Sequence, residues 1–325
     1  MKDKYGREID YLRISLTDRC NLRCIYCMEE KENDFFNEEE KLTKDEICKI
    51  VNACSKLGIK KIRLTGGEPL VREDIVELVE EINKIQGIEE IYLTTNGILL
   101  EDKVSILKKA GLKGVNISLD SLKVGMFNKL TRLGDLKKVL NSIDRCLEHG
   151  ITVKINTVMI KGMNEDEILD FVNLTLDKNI DIRFIELMPI GVGSKFKGVS
   201  NEEILKLINE NYSDIEEVNK NININGGPAT YIKLKNAKGR VGFISAISNC
   251  FCEDCNRIRL TSEGFLKQCL HYNYGIDLKK LLRKGASDEE ILNVIKDNIY
   301  NKPEKHLFMR KSENKELKFM NQIGG

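Results

Sequence analysis

The 325-residue chain has no tryptophan, only four prolines and three histidines, and no apolar run approaches the roughly 18 residues needed to span a bilayer. With so little proline and no low-complexity segment, the sequence offers no long flexible linker. It also lacks a basic arm. The 52 Lys and Arg residues are interleaved with 51 Asp and Glu for a net charge of +1, which argues against nucleic acid as a partner. The first residues, MKDKYGREID, are charged rather than apolar, so the expectation is a soluble, cytoplasmic protein with no membrane role. At this length the chain can bury a substantial core and carry one large domain plus an appendage.

Cysteine is the abundant exception, with ten residues. Without an export signal, disulfides are not expected, and clustered thiols in a reducing compartment read as metal ligands. Six of the ten fall in two tight groups, Cys20/Cys24/Cys27 and Cys250/Cys252/Cys255, and Cys269 follows the second. Cys48, Cys54 and Cys146 sit at apolar helical positions and read as small buried hydrophobes.

The first group lies in SLTDRCNLRCIYCM with CxxxCxxC spacing, and Tyr26 sits between its second and third cysteines. Four thiolates usually complete an iron–sulfur cluster, so three on one loop would leave one iron open to an outside ligand. Zinc is the rival, but it prefers a closed tetrahedron, and no histidine or cysteine follows before Cys48. The second group, CEDCNRIRLTSEGFLKQC, pairs Cys252 and Cys255 as CxxC, with Cys269 after a hairpin pattern. A zinc site completed by His271 or Cys250 is a second reading there. Arg257 and Arg259 alternate on the strand that follows, so both project from one face.

Through about residue 190, short β-branched runs alternate with helical stretches. DYLRISLT, KKIRLT, EEIYLTT, GVNISL, ITVKINTVMI and DIRFIELM read as six strands, and KDEICKIVNACSKLG and DLKKVLNSIDRCLEHG as amphipathic helices closing at Gly. The fold class is α/β, and a partial (β/α)6 TIM-type barrel is favoured over an open doubly wound sheet. Either way, functional groups should gather at the C-terminal strand ends. After the loop GVGSKFKG come a helix near 200–210, a hairpin pair in NININGGPATYIKL and GRVGFISAIS, two helices from about 277, and a polar tail ending at Gly324 and Gly325. The expected division is a barrel over 1–220 and a C-terminal α+β extension over 221–325.

TGGEP, Thr65 to Pro69, falls where the second strand ends. Its glycines open the backbone to close approach, and Pro69 fixes the turn into the next helix. Arg13, Arg63, Thr94 and Lys154 point into the same strand-end mouth. A cation inside a barrel strand is costly unless it meets an anion, so three converging cations favour a polyanion such as a triphosphate. Read alone, Ser118 is a helix-cap candidate and Met188 a core filler.

The cysteine loop with Tyr26 resembles the cluster loop of the radical S-adenosylmethionine (radical SAM) enzymes, and TGGEP resembles the segment that holds the SAM amine. From YLRISLTDRCN to the terminal Gly-Gly, the chain resembles the molybdenum cofactor biosynthesis protein A family, the GTP 3′,8-cyclases. The resemblance implies a 4Fe-4S cluster on Cys20, Cys24 and Cys27, whose open iron takes the amine and carboxylate of S-adenosylmethionine. It implies a second, auxiliary 4Fe-4S cluster on Cys252, Cys255 and Cys269, carried by the C-terminal extension. Tyr26, Gly67, Ser118 and Met188 would contact SAM, with Glu68 supporting the turn. Arg13, Arg63, Thr94, Lys154, Arg257 and Arg259 would bind GTP, the last two as catalytic groups directed at substrate. The implied chemistry is a 5′-deoxyadenosyl radical that takes the ribose H-3′ of GTP, after which C3′ closes on guanine C8. Implied partners are a ferredoxin- or flavodoxin-type electron donor, the downstream cyclic pyranopterin monophosphate synthase and a second copy in a homodimer. Two rivals remain: a radical SAM peptide maturase with an auxiliary cluster, and a non-catalytic zinc-binding adaptor.

Overall fold

The computed structural model describes residues 1–31, 35–218, 227–306, 316 and 318–324. The six expected strands are present as β1 (Tyr11–Ser15), β2 (Lys61–Thr65), β3 (Glu90–Thr95), β4 (Gly114–Ser118), β5 (Thr152–Thr157) and β6 (Ile180–Ile185), paired in parallel in that order. Between them run α1 (Lys44–Lys56), α2 (Ile75–Lys84), α3 (Val104–Ala110), α4 (Val124–Thr131), α5 (Leu136–Glu148) and α6 (Ile168–Asp177). Two of these helices, α1 and α5, start on side-chain caps. Thr43 and Glu46 form a capping box at the start of α1, and the Asp135 carboxylate accepts from the Lys137 and Lys138 N–H groups at the start of α5. The apolar stripes of these helices, such as Ile47, Ile50, Val51 and Cys54 of α1, are buried in the same core as Leu12, Ile14, Ile62 and Leu64 of the strands. Cys54 and Cys146 are fully buried in that core, and Cys48 packs against it.

The remaining strands are β7 (Ile215–Val218), β8 (Thr230–Leu234), β9 (Arg240–Ile244), β10 (Arg257–Leu260), β11 (Phe265–Lys267) and β12 (Gly275–Asp277). Helices α7 (Asn201–Asn211), α8 (Leu278–Arg283), α9 (Asp288–Tyr300) and α10 (Met320–Ile323) are the remaining described α-helices, and five short 3-10 turns lie in the loops. β8 and β9 form the expected antiparallel hairpin. The C-terminal strands, however, do not build a sheet of their own. β9 adds in parallel to β6 and β10 adds in parallel to β1, giving one twelve-stranded sheet in the order β12-β11-β10-β1-β2-β3-β4-β5-β6-β9-β8-β7. β9 and β10 extend opposite edges and do not pair with each other, so the barrel is partial. The expected boundary at residue 220 lies outside the described residues.

The β6–β9 seam is held by a stack of Phe184 on Phe243, partners in register, with ring centroids 6.2 Å apart. Phe184 is fully buried. Phe184→Ala should cost about 3–5 kcal/mol of stability in denaturant unfolding; a loss below about 1 kcal/mol would show that this stack does not hold the seam.

Candidate active site

The loop after β1 carries Cys20, Cys24 and Cys27. It is docked on the end of α4, where the Thr131 and Leu130 carbonyls accept from the Arg23 and Ile25 N–H groups at 3.1 and 3.0 Å. Arg132 returns the contact, its guanidinium donating to the Arg23 carbonyl at 2.9 Å. All three cysteines are free thiols. Burial, with the Glu68 carboxylate behind it, pushes the Cys20 thiol up to about 11. Burial and then Cys20 push Cys27 up to about 12, and burial with both neighbouring thiols raises Cys24. Such a set holds thiolates only when a cationic centre compensates them, which fits a metal cluster. The sulfurs also receive donors of the kind that tune clusters, including the Leu22 N–H to Cys20 at 3.4 Å.

TGGEP is zipped to this loop. The Gly67 N–H donates to the Thr17 carbonyl at 2.7 Å, and the Glu68 N–H to the Arg19 carbonyl at 2.8 Å. A side chain at Gly67 would put its Cβ 2.3 Å from the Arg19 carbonyl oxygen, so only glycine allows the two loops this close. The buried Glu68 carboxylate ties the strand ends together, accepting from the Leu70 N–H, the Thr95 hydroxyl and the Asn96 N–H at 3.1, 2.7 and 2.7 Å. Asn96 in turn donates to Asn21 of the cysteine loop at 2.8 Å. Burial raises Glu68 to about 7.

Tyr26 is pinned by a residue that the sequence reading missed. Its hydroxyl donates to the Asp120 carboxylate at 2.5 Å, while the other Asp120 oxygen accepts from the Val158 N–H at 2.8 Å. Burial raises Asp120 to about 6. Ser118 lies at the end of β4 opposite Asn156. Met188, after β6, packs on the small apolar cluster of Ile190, Leu270 and Ile323.

Inside the sheet the expected cations do meet. Arg13 lies in register with Arg259 on one side and Arg63 on the other, and the Arg63 guanidinium stacks over Tyr92 at 5.0 Å. On the same face, Thr94, Asn116 and Lys154 lie side by side, and Asn156 faces Arg183. Arg183, within DIRFIELM, was missed, although a cation inside a barrel strand is the signal that singled out Arg13. Burial and Arg259 drive Arg13 well down, burial and Arg257 bring Arg259 to about 10, and burial and Arg183 bring Lys154 to about 7. Asp181 on this face is committed to Arg240 through bonds of 2.9 and 2.6 Å. Among the described residues, Arg63 Nη1, Thr94 Oγ1, Arg183 Nε and Arg257 Nε are buried without a hydrogen-bond partner. Crowded cations and open donors on one inner face suit a polyanion.

The second cysteine set also assembles, since the Cys252 thiol feels Cys250, Cys269 and Cys255. Burial would raise Cys255, but Lys302 and Arg257 outweigh it and bring the thiol down to about 7. Arg257 lies over the Phe251 ring at 5.0 Å. Cys255 precedes β10, whereas Cys20 follows its parallel neighbour β1. With Tyr11 opposite Arg257, the two cysteine sets lie beyond opposite ends of β1 and β10, and β1 itself spans about 13 Å of strand rise.

The last described residues reach both the cysteine loop and Arg259. The Asn321 side chain donates to the Asp18 carbonyl at 3.0 Å, and its backbone N–H bonds the Cys27 sulfur. The Gly324 carbonyl accepts from Arg259 at 2.7 Å. Gly324 has φ 72°, and a Cβ there would stand 2.8 Å from that of Ser15. Gly325 lies outside the described residues.

A partial barrel whose first strand feeds a three-cysteine loop zipped to GGEP defines a radical SAM enzyme, and residues 14–175 match the Radical SAM superfamily. Residues 180–308 match Molybdenum Cofactor Synthesis C. A GTP 3′,8-cyclase from Clostridium perfringens (strain 13 / Type A) is 60% identical over 325 residues, covering all of both chains. Those of Clostridium botulinum (strain Langeland) and Alkaliphilus oremlandii are each 49% identical, again over the full length of both chains. The chain belongs to the GTP 3′,8-cyclase family. Among solved structures, Streptococcus suis SuiB bound to S-adenosylmethionine shares the fold, with a TM-score of 0.63 at 18% identity over 90% of this chain and 67% of that one.

Asp120→Ala strands the Tyr26 hydroxyl and the Val158 N–H, and should cost about 1–3 kcal/mol in denaturant unfolding. Asp120→Asn, which keeps an acceptor, should cost less. Equal losses would show that Asp120 does not pin Tyr26 through its oxygens.

Proposed function

We infer that the chain performs its family's reaction in the mouth between the two cysteine sets, with the nucleotide laid along the cation band. It is a radical SAM GTP 3′,8-cyclase of molybdenum cofactor biosynthesis, converting GTP to 3′,8-cyclo-7,8-dihydro-GTP. The observation that carries the substrate's placement is the run of cations across β10, β1, β2, β5 and β6, flanked by thiol sets at opposite ends.

When bound, a 4Fe-4S cluster on Cys20, Cys24 and Cys27 supplies the electron that splits S-adenosylmethionine into methionine and a 5′-deoxyadenosyl radical. The residues do the placing. Tyr26, fixed by Asp120, Gly67 on its zipped turn, Ser118 and Met188 form the wall that holds S-adenosylmethionine. Arg13, Arg63, Thr94 and Lys154 take the triphosphate. A radical this reactive attacks whatever lies nearest, so selectivity at the ribose C3′ hydrogen is a matter of distance. Arg257 and Arg259 face the substrate from β10, beside Cys252, Cys255 and Cys269, which would hold the auxiliary 4Fe-4S cluster. The lowered Cys255 thiol supports that ligand role. In this reading residues 1–220 generate the radical and 221–325 anchor the base.

The pathway carries the rest of the reading: a ferredoxin- or flavodoxin-type donor, cyclic pyranopterin monophosphate synthase as the next enzyme, a homodimeric assembly and a cytoplasmic location. Ten free cysteines support a reducing compartment, and no helix among the described residues is long and apolar enough to cross a membrane. The paired Arg257 and Arg259 favour a nucleotide over the peptide of a maturase, and the carbonyl of Gly324 on Arg259 brings the tail to the same place.

Cys24→Ser should abolish 5′-deoxyadenosine formation, whereas Cys255→Ser should retain S-adenosylmethionine cleavage and lose the cyclised nucleotide. Undiminished 5′-deoxyadenosine from the first variant, or normal product from the second, would contradict the assignment. Lys154, held at about 7 by burial and Arg183, must be protonated to meet a triphosphate. Anion binding raises it again, so GTP binding takes up a proton above pH 7 and weakens as pH rises toward 9. Calorimetry at pH 8 in buffers of different ionisation enthalpy should show this uptake, and Lys154→Arg should remove it; the same uptake in the variant would clear Lys154 of the role.

A further inference from the structure

Cys250 is not needed by either cysteine triplet, yet the fold places it with care. Its thiol, the Cys252 thiol and a ring nitrogen of His306 all lie within 4.8 Å of one another. Neighbouring ligands around a tetrahedral zinc ion, with Zn–S near 2.3 Å and Zn–N near 2.0–2.1 Å, stand about 3.3–3.8 Å apart, a spacing that small side-chain shifts from this arrangement would reach.

Three separate anchors bring these residues together. The buried Glu186 carboxylate, after β6, accepts from the Ile247 and Ser248 N–H groups at 2.9 Å each and from the Ser248 hydroxyl at 2.5 Å, which fixes the chain two residues before Cys250. The Arg7 guanidinium donates to the Cys252 and Glu304 carbonyls at 2.8 Å each and to the Pro303 carbonyl at 2.7 Å, which clamps the segment leading to His306 against Cys252. Arg7 is itself held by Asp3 at 2.7 Å. The Tyr272 hydroxyl donates to the Lys305 carbonyl at 3.0 Å. The buried Arg7 and Glu186 thus hold the backbone on either side of the two thiols and the imidazole.

We propose that Cys250, Cys252 and His306 form a site for one borderline-soft divalent cation, zinc(II) or its analogues, in the protein whose second cysteine set carries no cluster. Two thiolates and an imidazole suit such an ion, and three protein ligands leave the fourth position to water, the pattern of an open site. Cys250 is solvent-exposed, so the ion has an entry path. Binding exchanges the two thiol protons for the cation, with no change of oxidation state. Cys252 belongs both to this site and to the proposed auxiliary cluster, so the two occupancies exclude one another. That exclusion rests on the cluster reading; the ion site does not.

The test uses the full chain with Cys20, Cys24 and Cys27 replaced by alanine, stripped of metal and kept anaerobic. Cobalt(II) is titrated as the spectroscopic probe and zinc(II) as its competitor. The expected result is one bound ion with thiolate-to-cobalt charge-transfer absorption, weakened at least roughly 10–100-fold by Cys250→Ser and by His306→Gln, since even an outer partner's removal costs that much, and unchanged by Cys255→Ser. Equal weakening by Cys255→Ser, or none by Cys250→Ser and His306→Gln, overturns the site. If circular dichroism shows that the alanine background is unfolded, the same three changes are made in the otherwise unaltered, metal-stripped chain. There Cys250→Ser and His306→Gln should each remove one ion's share of the charge-transfer band, and an unchanged band overturns the site. Iron content after reconstitution separates this proposal from the cluster reading. Cys250→Ser should retain wild-type iron, and a loss of one cluster's iron in that variant would make Cys250 a cluster ligand and overturn the proposal. Cys255→Ser should lose one cluster's iron; if it retains all of it, the cluster reading fails while the cobalt result still decides the ion site.

Discussion

The constraint on which the site depends is the crowding of like charges on the inner face of one sheet. Arg259, Arg13 and Arg63 are partners in register on three adjacent strands, an arrangement that disfavours the fold when considered alone. The surroundings relieve it only in part: Arg63 bonds the Tyr11 hydroxyl and stacks on Tyr92, and Arg183 donates to Asn156 at 2.5 Å. Burial first, and then Arg183 beside Lys154 and Arg257 beside Arg259, still lower both cations. A polyanion would relieve that crowding, which is why the proposed reading lays the triphosphate here.

The same sheet sets the direction of the chemistry. β1 and β10 are parallel neighbours, but one is followed by a cysteine loop and the other preceded by one. The two cysteine sets therefore sit at opposite ends of the cation band, and in the proposed reading a substrate held along it has its reactive carbon placed by strand geometry. The C-terminal segment then joins what the sheet separates, since Asn321 reaches the radical-generating loop and Gly324 reaches Arg259.

Much of this was legible in the sequence because its signals are local. The six strands, the glycines that close the helices, the cysteine spacings and the GGEP turn are each written within a few residues. What was not legible depends on partners distant in the chain. Nothing in GRVGFISAIS or NRIRL says that β9 and β10 will extend opposite edges of the barrel in parallel, because parallel pairing has no turn to announce it. Asp120 reads as part of a strand-end turn until Tyr26, 94 residues away in sequence, is found bonded to it. His306 likewise carries no spacing signal toward Cys252, since the Arg7 clamp creates their proximity. Arg183 could have been found by the argument applied to Arg13, a cation inside a barrel strand.

In the proposed reading, strand geometry delivers the ribose C3′ hydrogen of GTP to the radical source. Anaerobic incubation of the reconstituted enzyme with reductant, S-adenosylmethionine and GTP deuterated at C3′, followed by mass analysis, tests it most directly. Deuterium should appear in the 5′-deoxyadenosine and be missing from the cyclised nucleotide. Unlabelled 5′-deoxyadenosine alongside intact, uncyclised GTP would contradict it.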